Sequence, residues 1–223
     1  SPNTTENLLF TQRKKIKLPT SNKSVQIKRM KWPLLGNAIP QRKHRICKLI
    51  GRVIFELIGW KLEGNLPNKS KLVLVALPHS SNFDFILALS VIWGWGLKLN
   101  YIGKHTLFKF PHGFFFRAIG GIPVDRRSRQ GLIEKMTSEF NSRSSLVLGI
   151  APEGTRNSDG TLKTGFARIA KAASAPVLPI IVNYKTKTLT LGQLITDLSD
   201  IEGIITAVKE QGLAGQRRAP AKL

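Results

Sequence analysis

Between Ile46 and Ile58 the apolar residues recur at helical spacing. Ile46, Leu49, Ile50, Val53, Ile54, Leu57 and Ile58 share one face, and Arg45, Lys48, Arg52 and Glu56 share the other. Phe55 and Trp60 widen the apolar side. This predicts a basic amphipathic helix with two uses: a surface helix packed by its apolar face, or a helix lying in a membrane interface with Lys and Arg toward anionic headgroups. A polar turn follows at residues 63–68. Then comes Lys71-Leu72-Val73-Leu74-Val75-Ala76-Leu77, an apolar run that fits a strand covered on both faces.

The same alternation continues to the C-terminus. Helices are predicted over 81–93, 130–140, 165–174 and 197–211. Strands are predicted over 98–103, 121–124, 146–151, 176–184 and 187–192, with a Phe-rich stretch at 107–119. Strands interleaved with helices predict an α/β fold, with a mostly parallel central sheet flanked by helices and an N-terminal basic amphipathic helical segment. The organisation expected is a disordered or loosely held basic arm at 1–30, an amphipathic membrane-interface segment at 31–63 and an α/β domain at 64–223. The sequence contains no internal repeat and no glycine-rich nucleotide loop of the Rossmann or P-loop type.

Composition adds a partner class. The 223 residues hold 35 Lys and Arg against 13 Asp and Glu, a net charge of +22. Twelve of the basic residues fall in the first fifty positions, with a single acid, Glu6. Such an excess implies an anionic partner: nucleic acid, an anionic lipid surface or an anionic substrate. Nucleic acid fits less well, because zinc-finger spacing and RNP-like aromatics are lacking and the basic excess runs into an apolar helix face. The single cysteine, Cys47, excludes an intrachain disulfide and a cysteine metal cluster, and its apolar setting points to packing. No apolar run reaches the ~18–20 residues of a spanning helix.

Three segments carry candidate chemistry, each at the end of a predicted strand. In His79-Ser80-Ser81-Asn82-Phe83-Asp84 an imidazole precedes a carboxylate where strand turns to helix. A histidine can take a proton from an attacking hydroxyl, and a carboxylate can fix its tautomer and stabilise the cation that forms. The same residues also read as a helix cap, with Asp84 a first-turn acid. In Glu153-Gly154-Thr155-Arg156, a flexible turn sits between a carboxylate and a guanidinium able to grip a phosphate. A plain surface turn fits that tetrapeptide equally well. In Gly120-Gly121-Ile122-Pro123-Val124-Asp125-Arg126, Arg126 emerges at the edge where open α/β sheets bind ligands, or is simply solvated.

Taken together and in this order, the segments resemble the PlsC-type glycerophospholipid acyltransferase family, whose typical members are 1-acylglycerol-3-phosphate O-acyltransferases. The resemblance covers roughly residues 70–185 and includes a looser match at Val177-Leu178-Pro179-Ile180. It implies transfer of a fatty acyl group from an acyl thioester (acyl-CoA or acyl-carrier protein) to a lysophospholipid hydroxyl. His79 would be the general base and Asp84 its orienting partner. Arg126, Glu153, Gly154, Thr155 and Arg156 would form the phosphate subsite, with Lys104 an additional cation. Val177, Leu178, Pro179 and Ile180 would line an apolar acyl path.

The thiolate leaves readily, so neither a metal nor a cofactor beyond the thioester co-substrate is expected. A G-x-S-x-G elbow is absent, which favours direct transfer over an acyl-enzyme. Amphiphilic substrates imply peripheral or monotopic attachment at an anionic membrane surface on a cytoplasmic or stromal-type face. Two departures stand out: the chain is short for the family, and Ala151 precedes Pro152 where the family often carries Phe. Rival readings are an acyltransferase for another lysolipid acceptor, or a catalytically silent membrane-binding relative.

Overall fold

The computed structural model describes residues 32–78, 83–125, 128–153 and 161–217. Strand β2 (Lys71–Leu77) shows why the sheet forms where it does. Its side chains alternate between two apolar layers: Val73, Val75 and Leu77 face one, Leu72 and Leu74 the other. A strand buried on both faces needs parallel neighbours connected over those faces by helices. It has them in β5 (Leu146–Ile150) and β6 (Val177–Asn183), both parallel to it. Beyond β5 lie β3 (Leu99–Lys104) and β4 (Gly121–Val124), also parallel. On the other side β7 (Thr188–Leu191) runs antiparallel to β6 and pairs in parallel with β1 (Lys61–Glu63). The order is β1-β7-β6-β2-β5-β3-β4. The chain thus forms the mostly parallel α/β sheet that its alternation predicts.

Helices α4 (Arg129–Ser142), α5 (Gly165–Ala172) and α6 (Ile201–Arg217) cover one face. Met136, Phe140, Phe166, Ile169, Ile204 and Val208 seal it against Val75, Leu148 and Val177. Ser128 caps α4 by accepting from Gly131 N at 3.0 Å.

The other face is covered by α1 (Arg45–Leu57) and α2 (Phe83–Trp95), through Phe55, Leu87, Val91 and Trp95. These two helices touch closely because Gly51 has no side chain: a Cβ there would lie 2.4 Å from Gly94 N and 2.6 Å from Ser90 O. The Phe-rich stretch forms a short 3-10 turn (His105–Phe108) and α3 (Gly113–Ala118). Phe108 seats over Gly103 and Gly121, where any side chain would collide with its ring. Residues of that parity in β3, Leu99 and Tyr101, face the α1–α2 layer, so α3 covers the same face of the sheet.

In α1 the outcome differs from simple packing of an apolar stripe. Ile46, Leu49, Ile50, Val53 and Leu57 are exposed, and only Gly51 and Phe55 are buried. Phe55 therefore does not widen an outer apolar face but points into the sheet. Trp60 is not on the helix: α1 ends at Leu57, Gly59 takes φ +71°, and Trp60 is buried beyond the turn. From the basic side, Arg52 reaches back to the protein. Arg52 Nε donates to Gly94 O at 2.9 Å, and its guanidinium lies 5.5 Å from the centre of the Trp32 ring. Cys47 is a free, half-buried thiol. Among the described residues no helix is long and apolar enough to cross a membrane. The basic arm predicted at 1–30 lies outside the described residues.

Candidate active site

The register brings the described residues of the candidate segments to one edge of the sheet. Leu178, Leu74, Gly149, Tyr101 and Gly121 form one row across β6, β2, β5, β3 and β4. From that row these five parallel strands run in the same direction. Their C-terminal ends lead into Tyr184, Pro78, Glu153, Lys104 and Asp125 respectively. Ligands of open α/β sheets bind at this edge, where diverging loops leave a crevice.

Asp84 lies in the first turn of α2 and is 7% exposed. Burial of a carboxylate is costly unless it is hydrogen-bonded, and Asp84 Oδ1 accepts a hydrogen bond from the hydroxyl of Tyr184. Tyr184 directly follows β6, which is paired to β2 through Leu77 and Ile181. Its ring meets Trp60 edge-on at 5.2 Å. Trp60 also lies 6.4 Å from the ring of Phe83, the residue before Asp84. An aromatic group thus supports both the acid and its donor.

Glu153 is the second buried carboxylate at this edge, 8% exposed, just beyond β5. Beside it, Lys163 N donates to Pro152 O at 2.8 Å. Lys104 ends β3, beside Val124 of β4, and is exposed. Val177 and Leu178 lie in the middle of the sheet, packed into opposite layers, and Pro179 is also buried. Ile180, half-buried, packs against the α1–α2 layer. His79, Arg126, Gly154, Thr155 and Arg156 lie outside the described residues.

Of the expected site, the structure therefore brings Asp84, Glu153 and Lys104 to one edge, at or just beyond the ends of three neighbouring strands. It adds Tyr184 and Trp60, which the sequence reading assigned only to a strand end and a helix face. No local pattern marks either residue: Tyr184 and Asp84 are separated by 100 positions.

A carboxyl edge that gathers two buried acids is where an open α/β sheet holds a small-molecule site. A family model described as Acyltransferase matches residues 60–183. The chain belongs to this acyltransferase family. A 1-acyl-sn-glycerol-3-phosphate acyltransferase of Bacillus subtilis (strain 168) is 34% identical over 142 residues, 61% of this chain and 69% of that protein. The protein of the same name from Escherichia coli (strain K12) is 26% identical over 156 residues, 66% of this chain and 62% of that one. The fold is similar to the crystal structure of the 1-acyl-sn-glycerophosphate (LPA) acyltransferase PlsC from Thermotoga maritima. The TM-score is 0.54 and the identity 21%, covering 78% of this chain and 80% of that one. The chain spans 62% of the length of the Escherichia coli relative and 54% of that from Limnanthes douglasii.

Proposed function

We propose that this chain is an O-acyltransferase that moves a fatty acyl group from acyl-CoA or acyl-carrier protein to 1-acylglycerol-3-phosphate, giving phosphatidate. The observation that carries the reading is the buried carboxylate of Asp84 in the first turn of α2, directly after the segment that contains His79. The names of the relatives support the acceptor.

A glycerol hydroxyl is a poor nucleophile at neutral pH. His79 takes its proton as the oxygen attacks the thioester carbonyl. The new C–O bond forms, the C–S bond breaks, and the proton passes to the departing thiolate. Asp84 holds the imidazole in the tautomer that leaves the attacking nitrogen free, and stabilises the imidazolium. Arg126 and Arg156 grip the acceptor's phosphate with Lys104 as a third cation, and Glu153, Gly154 and Thr155 shape that subsite. Of the residues expected along an acyl path, Ile180 is half-buried on the α1–α2 side and lines it, while Val177 faces the opposite layer and, with buried Leu178 and Pro179, supports the strand behind it.

The reading includes attachment to an anionic bilayer. Support comes from the α1–α2 layer, whose outer surface exposes Ile46, Leu49, Ile50, Val53, Leu57, Phe85 and Ile86. On the same side of the sheet Phe110 and Phe114 are almost wholly exposed, near Lys109. A soluble monomer rarely leaves so much clustered apolar surface in water.

The deciding experiment is acyl transfer from both thioesters to 1-acylglycerol-3-phosphate and to lysophospholipids with larger headgroups, comparing wild type with His79→Ala. The variant should lose roughly 10²-fold or more in rate. Near-normal turnover would overturn the mechanism, and preference for a headgroup-bearing acceptor would replace the substrate.

A further inference from the structure

We propose that Tyr184 is a positioning residue for transfer, acting through its hydrogen bond to Asp84. The inference rests on the reading of Asp84 as the partner of the general base, and extends it to a residue far outside that segment.

A carboxylate in the first turn of a helix has competing partners. The N-terminal amide groups and the helix dipole both attract it inward, toward the cap. An acid that must orient an imidazole at the mouth of the crevice needs a fixed plane. The phenol provides it. Its hydroxyl donates to Oδ1 of Asp84, and a hydrogen bond to an ionised acceptor is stronger than one between neutral groups.

The donor is itself held. Its ring abuts buried Trp60 at 5.2 Å, with the planes at 89°. The preceding residue, Asn183, is buried and tied on two sides. Its Nδ2 donates to Gly215 O of α6 at 3.0 Å, and its Oδ1 accepts from Thr186 N at 3.1 Å. The strand β6, its turn and α6 thus fix the phenol. The phenol in turn links the end of β6 to α2, across β2.

The side chain also differs from an ordinary core tyrosine in being 38% exposed. Part of the residue is therefore open to solvent while its hydroxyl is committed to the acid. A group that served only to fill space would not need the hydroxyl, and phenylalanine would replace it without loss.

The test is a double-mutant cycle on transfer to 1-acylglycerol-3-phosphate with Tyr184→Phe, Asp84→Asn and the pair. Tyr184→Phe keeps the ring against Trp60, and melting curves check that it stays folded. Its kcat should fall roughly tenfold with KM within about twofold, the pattern of an interaction used in the transition state. In the Asp84→Asn background the same change should have little further effect, because the two act as one unit. Wild-type kcat in Tyr184→Phe beside a crippled Asp84→Asn would overturn the proposal and leave the role of Asp84 standing. Full additivity would overturn it too, by showing that Tyr184 acts elsewhere. Wild-type kcat in Asp84→Asn would remove the underlying reading and the proposal with it.

Discussion

Helix α5 turns Phe166, Ala167, Ile169 and Ala170 into the sheet and leaves Arg168 and Lys171 in water. Helix α1 carries an equally amphipathic pattern and uses it the other way. Five of its apolar residues face outward, Arg52 lies against Trp32 and the end of α2, and only Gly51 and Phe55 are buried. Helix α2, against which α1 packs, is apolar around its whole circumference and leaves Phe85 and Ile86 exposed. One face of the sheet is therefore closed by helices that end at water. The other is closed by helices that continue outward into a second apolar surface. Amphipathicity tells which residues share a face, but not whether that face meets the protein core or something else.

The largest effects should separate the two helices on opposite measurements. Phe166→Ala removes a side chain that is 2% exposed and should cost about 3–5 kcal/mol in denaturant unfolding. The comparison would collapse if Leu57→Gln cost as much, since Leu57 is 80% exposed. That change should stay within about 0.5 kcal/mol.

Replacing Ile46, Leu49, Val53 and Leu57 together by Gln keeps helix propensity while removing the outer apolar face. Flotation on phosphatidylglycerol vesicles should weaken at least roughly tenfold, given ~0.8 kcal/mol per methylene inserted. It should also weaken with salt, as the basic residues are screened. Unchanged flotation would mean that the outer face of α1 is not the contact surface.

Gly51→Leu probes the seam between the two helices. Its Cβ would meet Gly94 N at 2.4 Å, a backbone atom that cannot swing away. Overpacking there should cost about 1–3 kcal/mol. A neutral result would show that α1 rides loosely on α2, unlike α5 on its sheet.

Much of this architecture was legible in the chain, for identifiable reasons. Strand β4 was expected at 121–124 and forms there, bounded by Gly120 at φ +102°. The edge strand β1 was missed because Lys61-Leu62-Glu63 has one apolar residue; pairing with β7 creates it, not local preference. Helix α6 was expected from 197 and starts at Ile201, because Asp197 bonds Ser199 in a turn and Asp200 is the acid that accepts from Gly203 N.

At the candidate site Asp84 stood out through its spacing from His79. Trp60 read as one more apolar residue of α1, and Tyr184 as the end of a strand. What makes them matter is their meeting with Phe83 and Asp84, which only the alignment of β6 with β2 produces.

The smallest effect tests whether the outward-facing layer still seals the sheet beneath it. Tyr101 of β3 lies under that layer, with its hydroxyl 3.4 Å from the carbonyl of Phe116. Burial pushes its phenol up from 10.0 to about 12. The folded chain therefore keeps this proton in a range where the unfolded chain has released it. Stability from this group is whole below pH 10 and declines as pH rises toward 12. The chain has two tyrosines, so absorbance at alkaline pH can be followed one phenol at a time. Tyr101→Phe should remove a late-titrating phenolate and flatten the fall of the denaturation midpoint above pH 10. If the phenol lost in Tyr101→Phe proves to ionise near pH 10 in the folded wild type, water reaches the sheet under this layer, and its inner side is not sealed as the α4–α5–α6 side is.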